Sequence, residues 1–137
     1  MVSYPHWHTV PLRWKDNDVY GHVNNVVHYA LMDTVINTWL VERGGLDIAT
    51  GPVIGLCVES HCAYHASVSF PDSLRIGLRV AHLGRSSVRY EIGMYSTADV
   101  LVAEGHFVHV FVDRETRRPV SVSGKLRESL AELLLPA

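Results

Sequence analysis

From Val26 to Arg43 the chain carries apolar residues at helical spacing over an arc too wide for a helix lying on a surface. Tyr29, Met32, Ile36, Trp39 and Leu40 fall on one side, and Val27, Leu31 and Val35 widen the stripe. At about 18 residues such a helix spans roughly 27 Å, and so broad an apolar face has to be enclosed by other elements. Asn24 or Asn25 can cap its start, and Gly44-Gly45 stops it. The rest of the chain must supply the enclosure.

It has the patterning of a sheet. Trp7 to Trp14 predicts a first strand, with Pro5 at its entry and Pro11 marking an edge or irregularity. After Gly51-Pro52, Val58, Cys62, Tyr64, Ala66 and Val68 alternate with Glu59, His61, His65 and Ser67 in a long extended stretch. Leu74, Ile76, Leu78 and Val80 then alternate with Arg75, Gly77, Arg79 and Ala81. Val88, Tyr90, Ile92 and Met94 do so against Arg89, Glu91, Gly93 and Tyr95. Val100 to Val112 reads as a last long strand. Gly124 to Leu134 reads as a short amphipathic helix with Leu126, Leu130, Leu133 and Leu134 on its buried side. Tight turns at Pro71-Asp72, Gly84-Arg85 and Ser96 to Asp99 make the later strands antiparallel. The expected class is α+β, one antiparallel sheet wrapped around one long central helix, in a single domain over residues 1–137.

Charge and composition remove whole classes of function. A net charge of −2 offers no electrostatic case for nucleic acid. The apolar runs are too short to span a bilayer, and the N-terminus lacks a signal-peptide pattern, so a cytoplasmic protein without a membrane partner is expected. Two cysteines are too few for a disulfide framework. On one straight strand the spacing of Cys57 and Cys62 points them to opposite faces, and both are expected as buried thiols.

Chemistry concentrates before the long helix. Lys15, Asp16, Asn17 and Asp18 form a polar loop broken by Gly21, and His22, Asn24 and Asn25 lead straight into the helix. A helix start presents unpaired N–H groups and the positive end of a dipole, which favour developing negative charge. A carboxylate beside such a site suits attack on an acyl carbonyl.

The run Asp16-Asn17-Asp18-Val19-Tyr20-Gly21-His22-Val23-Asn24-Asn25, followed by Tyr29, resembles the hotdog-fold acyl-CoA thioesterases. It is most similar to the 4-hydroxybenzoyl-CoA thioesterase-like group, where D-x-D-x-x-G-H-V-N-N-x-x-Y recurs. The element order and the turns at Phe70 to Asp72 and Leu83 to Ser87 are similar too. The resemblance implies Asp18 as nucleophile or general base, Asp16 as a less essential neighbour, and the thioester oxygen against the backbone N–H near Asn25. It also implies homodimers, often paired into tetramers, with active sites built from two subunits. Coenzyme A, part of the substrate and not a cofactor, would lie along the subunit boundary near Arg85, Ser86 and Ser87. Many relatives carry a Glu five residues after the motif Tyr. Counted from Tyr29 that place is Thr34, with Asp33 one residue earlier.

Around that core the remaining candidates have plainer readings. His22 could act as acid or base, or orient the loop by hydrogen bonds, and Gly21 is a substrate-binding candidate. Asn24 and Asn25 could bind substrate, though capping accounts for one of them. Tyr29, Asp33 and Asn37 form one helical stripe that could face the acyl pocket. His61 and His65, with Glu59, are too spread along a strand to converge on one metal ion, and are better placed at a subunit boundary or closing the active site from across the dimer, with His61 as a substrate-binding candidate. No metal or cofactor is expected. Alternative readings are a hotdog β-hydroxyacyl dehydratase or hydratase, in which His22 becomes essential, and a non-catalytic acyl-CoA-binding module.

Overall fold

The computed structural model describes residues 3–134. Five antiparallel strands form one sheet: β1 (His6–Pro11), β2 (Val53–Tyr64), β3 (Ser73–Leu83), β4 (Ser87–Tyr95) and β5 (Leu101–Asp113), in the order β1-β3-β4-β5-β2. Helix α1 (Asn25–Glu42) crosses its concave face, and α2 (Gly124–Glu132) closes one end. This is the expected α+β hotdog arrangement, a sheet wrapped around a central helix. The alternation read from β3 and β4 holds. Leu74, Ile76, Leu78, Val80, Val88, Tyr90 and Met94 are fully buried against Met32, Val35, Ile36 and Leu40 of α1. The convex face is not bare either. Tyr4 lies flat over Gly77 and Gly93, cross-strand partners on which a Cβ would collide with its ring.

Several boundaries differ from the sequence reading. β1 ends at Pro11, and Trp14–Asp16 form a single 3-10 turn. There the Asp16 carboxylate collects donors from Arg13, and this local bonding outcompetes a continued ladder. β2 starts at Val53 and stops at Tyr64. His65 and Ala66 both donate to the Val102 carbonyl, and the chain then leaves the sheet. A bulge between Cys57 and Glu59 puts Val58 into solvent. That extra residue restores even parity. Cys57 now pairs His109 and Cys62 pairs Gly105, so both cysteines share the concave face. They remain free because four ladder steps, roughly 14 Å, separate them. Cys62 is buried as expected, but Cys57 is exposed. Leu134 lies beyond α2 and is 38% exposed, not buried with Leu130 and Leu133, since the helix ends two residues earlier. No helix among the described residues is long and apolar enough to cross a membrane.

Candidate active site

The loop between β1 and α1 folds around its own side chains. Asp16 is 3% exposed, and its carboxylate accepts from the Arg13 backbone N–H at 2.7 Å and from the Arg13 guanidinium at 3.0 Å. Burial pushes this carboxyl upward, but the hydrogen bonds and charge of Arg13 outweigh it and hold the group below the usual carboxylate range. The Asp16 carbonyl then accepts the Asn24 N–H, which seats the helix start. Asp16 is the anchor of the loop.

Asp18 is half-buried. Its Oδ1 accepts the Tyr20 N–H at 2.8 Å in a local turn, and its other oxygen has no partner among the described residues. Gly21 has φ +86, a left-handed conformation in which glycine is at ease, and its carbonyl accepts the Ser69 hydroxyl. His22 brings Nδ1 to 3.5 Å from the Val23 carbonyl, at the limit of a hydrogen bond.

Asn24 is the N-cap of α1, its side chain accepting from Val26 N–H at 2.9 Å. Asn25 is the first helical residue, and its N–H finds no acceptor among the described residues. Its carbonyl is held by the Tyr64 hydroxyl at 3.1 Å. Burial pushes the Tyr64 phenol up to about 12, so it remains a donor at neutral pH. Asp18, Gly21, His22, Asn24 and Asn25 therefore lie on one continuous segment that ends at a backbone donor free among the described residues.

The other predicted residues divide between places. Tyr29 and Asp33 face an open groove of about 500 Å³ with Cys57, Ser60 and Phe107, and Asn37 donates to the Asp33 carboxylate at 3.0 Å. Tyr29 and Asp33 face the gap between α1 and β2, whereas Asn37 lines a second groove with Asp33, Thr38 and Val41. His61 lies on the convex face, stacked on His106 at 5.4 Å, and the Glu59 carboxylate reaches His106 at 2.7 Å. Within one protomer His61 cannot meet Asp18. Neither can Arg85, Ser86 and Ser87, which turn β3 into β4 beside Val110, while Val102 is held by His65 and Ala66 of the segment whose Val68 carbonyl accepts the loop's Val23 N–H. Eight residues of strand put roughly 27 Å between them. Arg85 bonds the Ser121 hydroxyl at 2.9 Å.

Two buried histidines carry no functional role in the sequence reading: His28 is not singled out there, and His109 is expected only to face away from His106, as it does. His28 sits on the enclosed face of α1, where its spacing to Met32, Val35 and Trp39 could have placed it. His109 lies beneath the helix, sharing a hydrogen bond of 3.1 Å with the Tyr90 hydroxyl, and burial pushes its imidazole down to about 4. Alternation with Phe107 and Phe111 along β5 was its available signal.

The sequence profile of the thioesterase-like superfamily matches residues 12–130. The chain belongs to that superfamily. It is a thioester hydrolase of hotdog fold. The crystal structure of the PA5185 protein of Pseudomonas aeruginosa is 53% identical, with 96% of this chain and 92% of that one covered and a TM-score of 0.92. Slr0204 of Synechocystis, a 1,4-dihydroxy-2-naphthoyl-CoA thioesterase, has the same fold at 15% identity, covering 93% of this chain and 96% of that one with a TM-score of 0.83. SAV2348 of Staphylococcus aureus, crystallised with CoA, does so at 15% identity, 93% and 82% coverage and a TM-score of 0.86. Among curated proteins none matches the chain.

Counted along the thioesterase pattern, the tyrosine's place is residue 28, held here by His28, and Tyr29 is one residue further on. The same count puts Asp33, not Thr34, five residues beyond. One residue turns a side chain by about 100° on a helix, and the faces agree with the recount: His28 points inward, while Tyr29 and Asp33 line the groove.

Proposed function

We propose that this thioesterase hydrolyses an acyl-coenzyme A at the N-terminus of α1, with Asp18 as the working carboxylate. The observation that carries this reading is the unpartnered Asn25 N–H opening an 18-residue helix, with a free Asp18 oxygen on the loop leading to it. A thioester oxygen resting on that N–H meets the positive end of the helix dipole, which stabilises the oxyanion as attack proceeds. Asp18 either attacks the carbonyl carbon or takes a proton from an attacking water. A thiolate leaves readily because its conjugate thiol is already acidic, near 8.5, so no strong general acid is needed and none is assigned. His22 orients the loop in this scheme. No metal or organic cofactor enters it, and coenzyme A arrives with the substrate.

The working unit is proposed to be a homodimer, paired further into a tetramer. β2 has one free edge in the sheet order, and Cys57, Val58, Glu59, Ser60 and His61 along it are exposed. An open strand edge of this length invites pairing with a second copy. A partner subunit is also the way to bring an Arg85-Ser86-Ser87 turn toward Asp18, with Tyr29 and Asp33 lining the shared groove. The two free thiols accord with a reducing cytoplasm.

Thiol release from a panel of acyl-CoAs tests the reading. Wild type turns over at least one of them, and Asp18→Asn lowers kcat by about a hundredfold or more, the range of a lost general base, with folding and oligomer size unchanged. Turnover that survives in the variant removes Asp18 from the chemistry. Binding without turnover in the wild type points to an acyl-CoA-binding module instead.

A further inference from the structure

His28 is 3% exposed, and neither of its ring nitrogens has a hydrogen-bond partner among the described residues. The carbonyls of Asn24 and Asn25 are near enough to favour a charged ring, but neither meets hydrogen-bond geometry, and burial dominates. The imidazole is held below its ordinary value and is neutral at pH 7. A neutral imidazole offers one donor and one acceptor. Buried polar groups in folded proteins are satisfied almost without exception by protein, water or ligand, so an imidazole with neither nitrogen paired is an unusual feature of a core. The ring also lines a cavity of about 260 Å³ with His22, Val23, Asn25, Tyr64 and Val68. Tyr64 closes over it edge-to-face, ring centroids 5.1 Å apart.

Position sharpens the argument. Asn25 and His28 are three residues apart on one helix, so their side chains start about 5–6 Å from each other along one face. An acyl group whose carbonyl oxygen rests on the Asn25 N–H has its second and third carbons within that distance. The cavity lies below the range of about 300–1,000 Å³ usual for drug-sized ligands, which suits a short acyl group. A plain alkyl chain placed there leaves the imidazole unpaired, whereas an oxygen on either carbon supplies the missing partner.

We propose that His28 is a specificity-determining residue, hydrogen-bonding a hydroxyl or keto oxygen on carbon 2 or 3 of a short acyl group. The inference rests on the thioesterase reading of the same site. A pocket that hydrogen-bonds a substrate hydroxyl discriminates strongly against the analogue lacking it, because its own buried polar group is then stranded.

The test compares kcat/KM by thiol release for 2-hydroxybutyryl-CoA and 3-hydroxybutyryl-CoA against butyryl-CoA. Wild type is expected to favour at least one hydroxyacyl thioester by about tenfold or more. His28→Phe, which keeps a flat ring without donor or acceptor, abolishes that preference through loss on the hydroxyacyl member. His28→Gln, with both donor and acceptor, retains part of it. Equal constants in the wild type, or a preference that persists in His28→Phe, overturn the inference and leave the thioesterase reading standing. No release from any thioester overturns both. If His28→Phe fails to fold, the wild-type ratio and the His28→Gln variant decide.

Discussion

Removing the Asp16 side chain separates scaffold from chemistry on a loop with two nearby carboxylates. In Asp16→Ala the Arg13 backbone N–H, bonded to the carboxylate at 2.7 Å, loses its acceptor in a partly buried position. A hydrogen bond to a charged group contributes about 1.5–3 kcal/mol. The guanidinium contact adds little, because the Arg13 side chain is 61% exposed and solvent screens the pair, so about 0.5 kcal/mol is a fair allowance. The total is about 3 kcal/mol, which at about 3–4 °C per kcal/mol for a domain of this size lowers Tm by about 10 °C. Thermal unfolding followed by far-UV circular dichroism at pH 7, with a urea titration alongside, measures it. The difference has a pH signature. A carboxyl whose folded pKa is depressed contributes its stability above the unfolded value, near 3.9, and loses it as pH falls through the folded value. The gap between wild type and Asp16→Ala therefore narrows below about pH 4. Asp18→Asn, which keeps the turn to Tyr20, leaves Tm within about 1 °C while lowering kcat by about a hundredfold or more. A drop under about 2 °C for Asp16→Ala, or a gap that persists undiminished at low pH, would refute the anchoring role.

Two further perturbations probe the core. His109, buried and neutral with a folded pKa of about 4, must be charged to follow the unfolded chain below about 6.5. Stability is thus full above that pH and falls by about 3 kcal/mol as pH drops toward 4. Urea midpoints across that window should show the fall, and His109→Gln should flatten it; parallel curves for the two proteins would exclude His109 as the source. On the convex face, Gly77→Ala drives a methyl into the Tyr4 ring and is expected to cost about 1–3 kcal/mol. The same substitution made on a Tyr4→Ala background should cost much less, and an undiminished penalty in that double-mutant cycle would show that Tyr4 is not what the methyl meets.

Much of this was legible residue by residue. The α1 stripe and the alternation of β3 and β4 depend on periodicity alone, and those elements stand within a residue or two of their expected limits. Asp18, Gly21, His22, Asn24 and Asn25 are close in sequence, so their gathering needed little folding. Errors arose where one local interaction changed the count. The bulge at Val58 reversed the relation of Cys57 to Cys62, and Arg13 with Asp16 cut β1 short. His61 and Arg85 were separated from Asp18 by sheet geometry, which no spacing rule within a strand reports.

Hydrophobic period, caps and turns act over a few residues, so the class of fold, the enclosed helix and the loop before it are legible along the chain. Which polar groups are left without partners is set by the folded whole. Asn25 N–H is free because Asp16 takes the donor before it and Asn24 caps the one after. His28 is unpaired because the sheet closes over it. Hydrogen-bond satisfaction is a property of every neighbour at once, and those neighbours come from segments far apart in the chain.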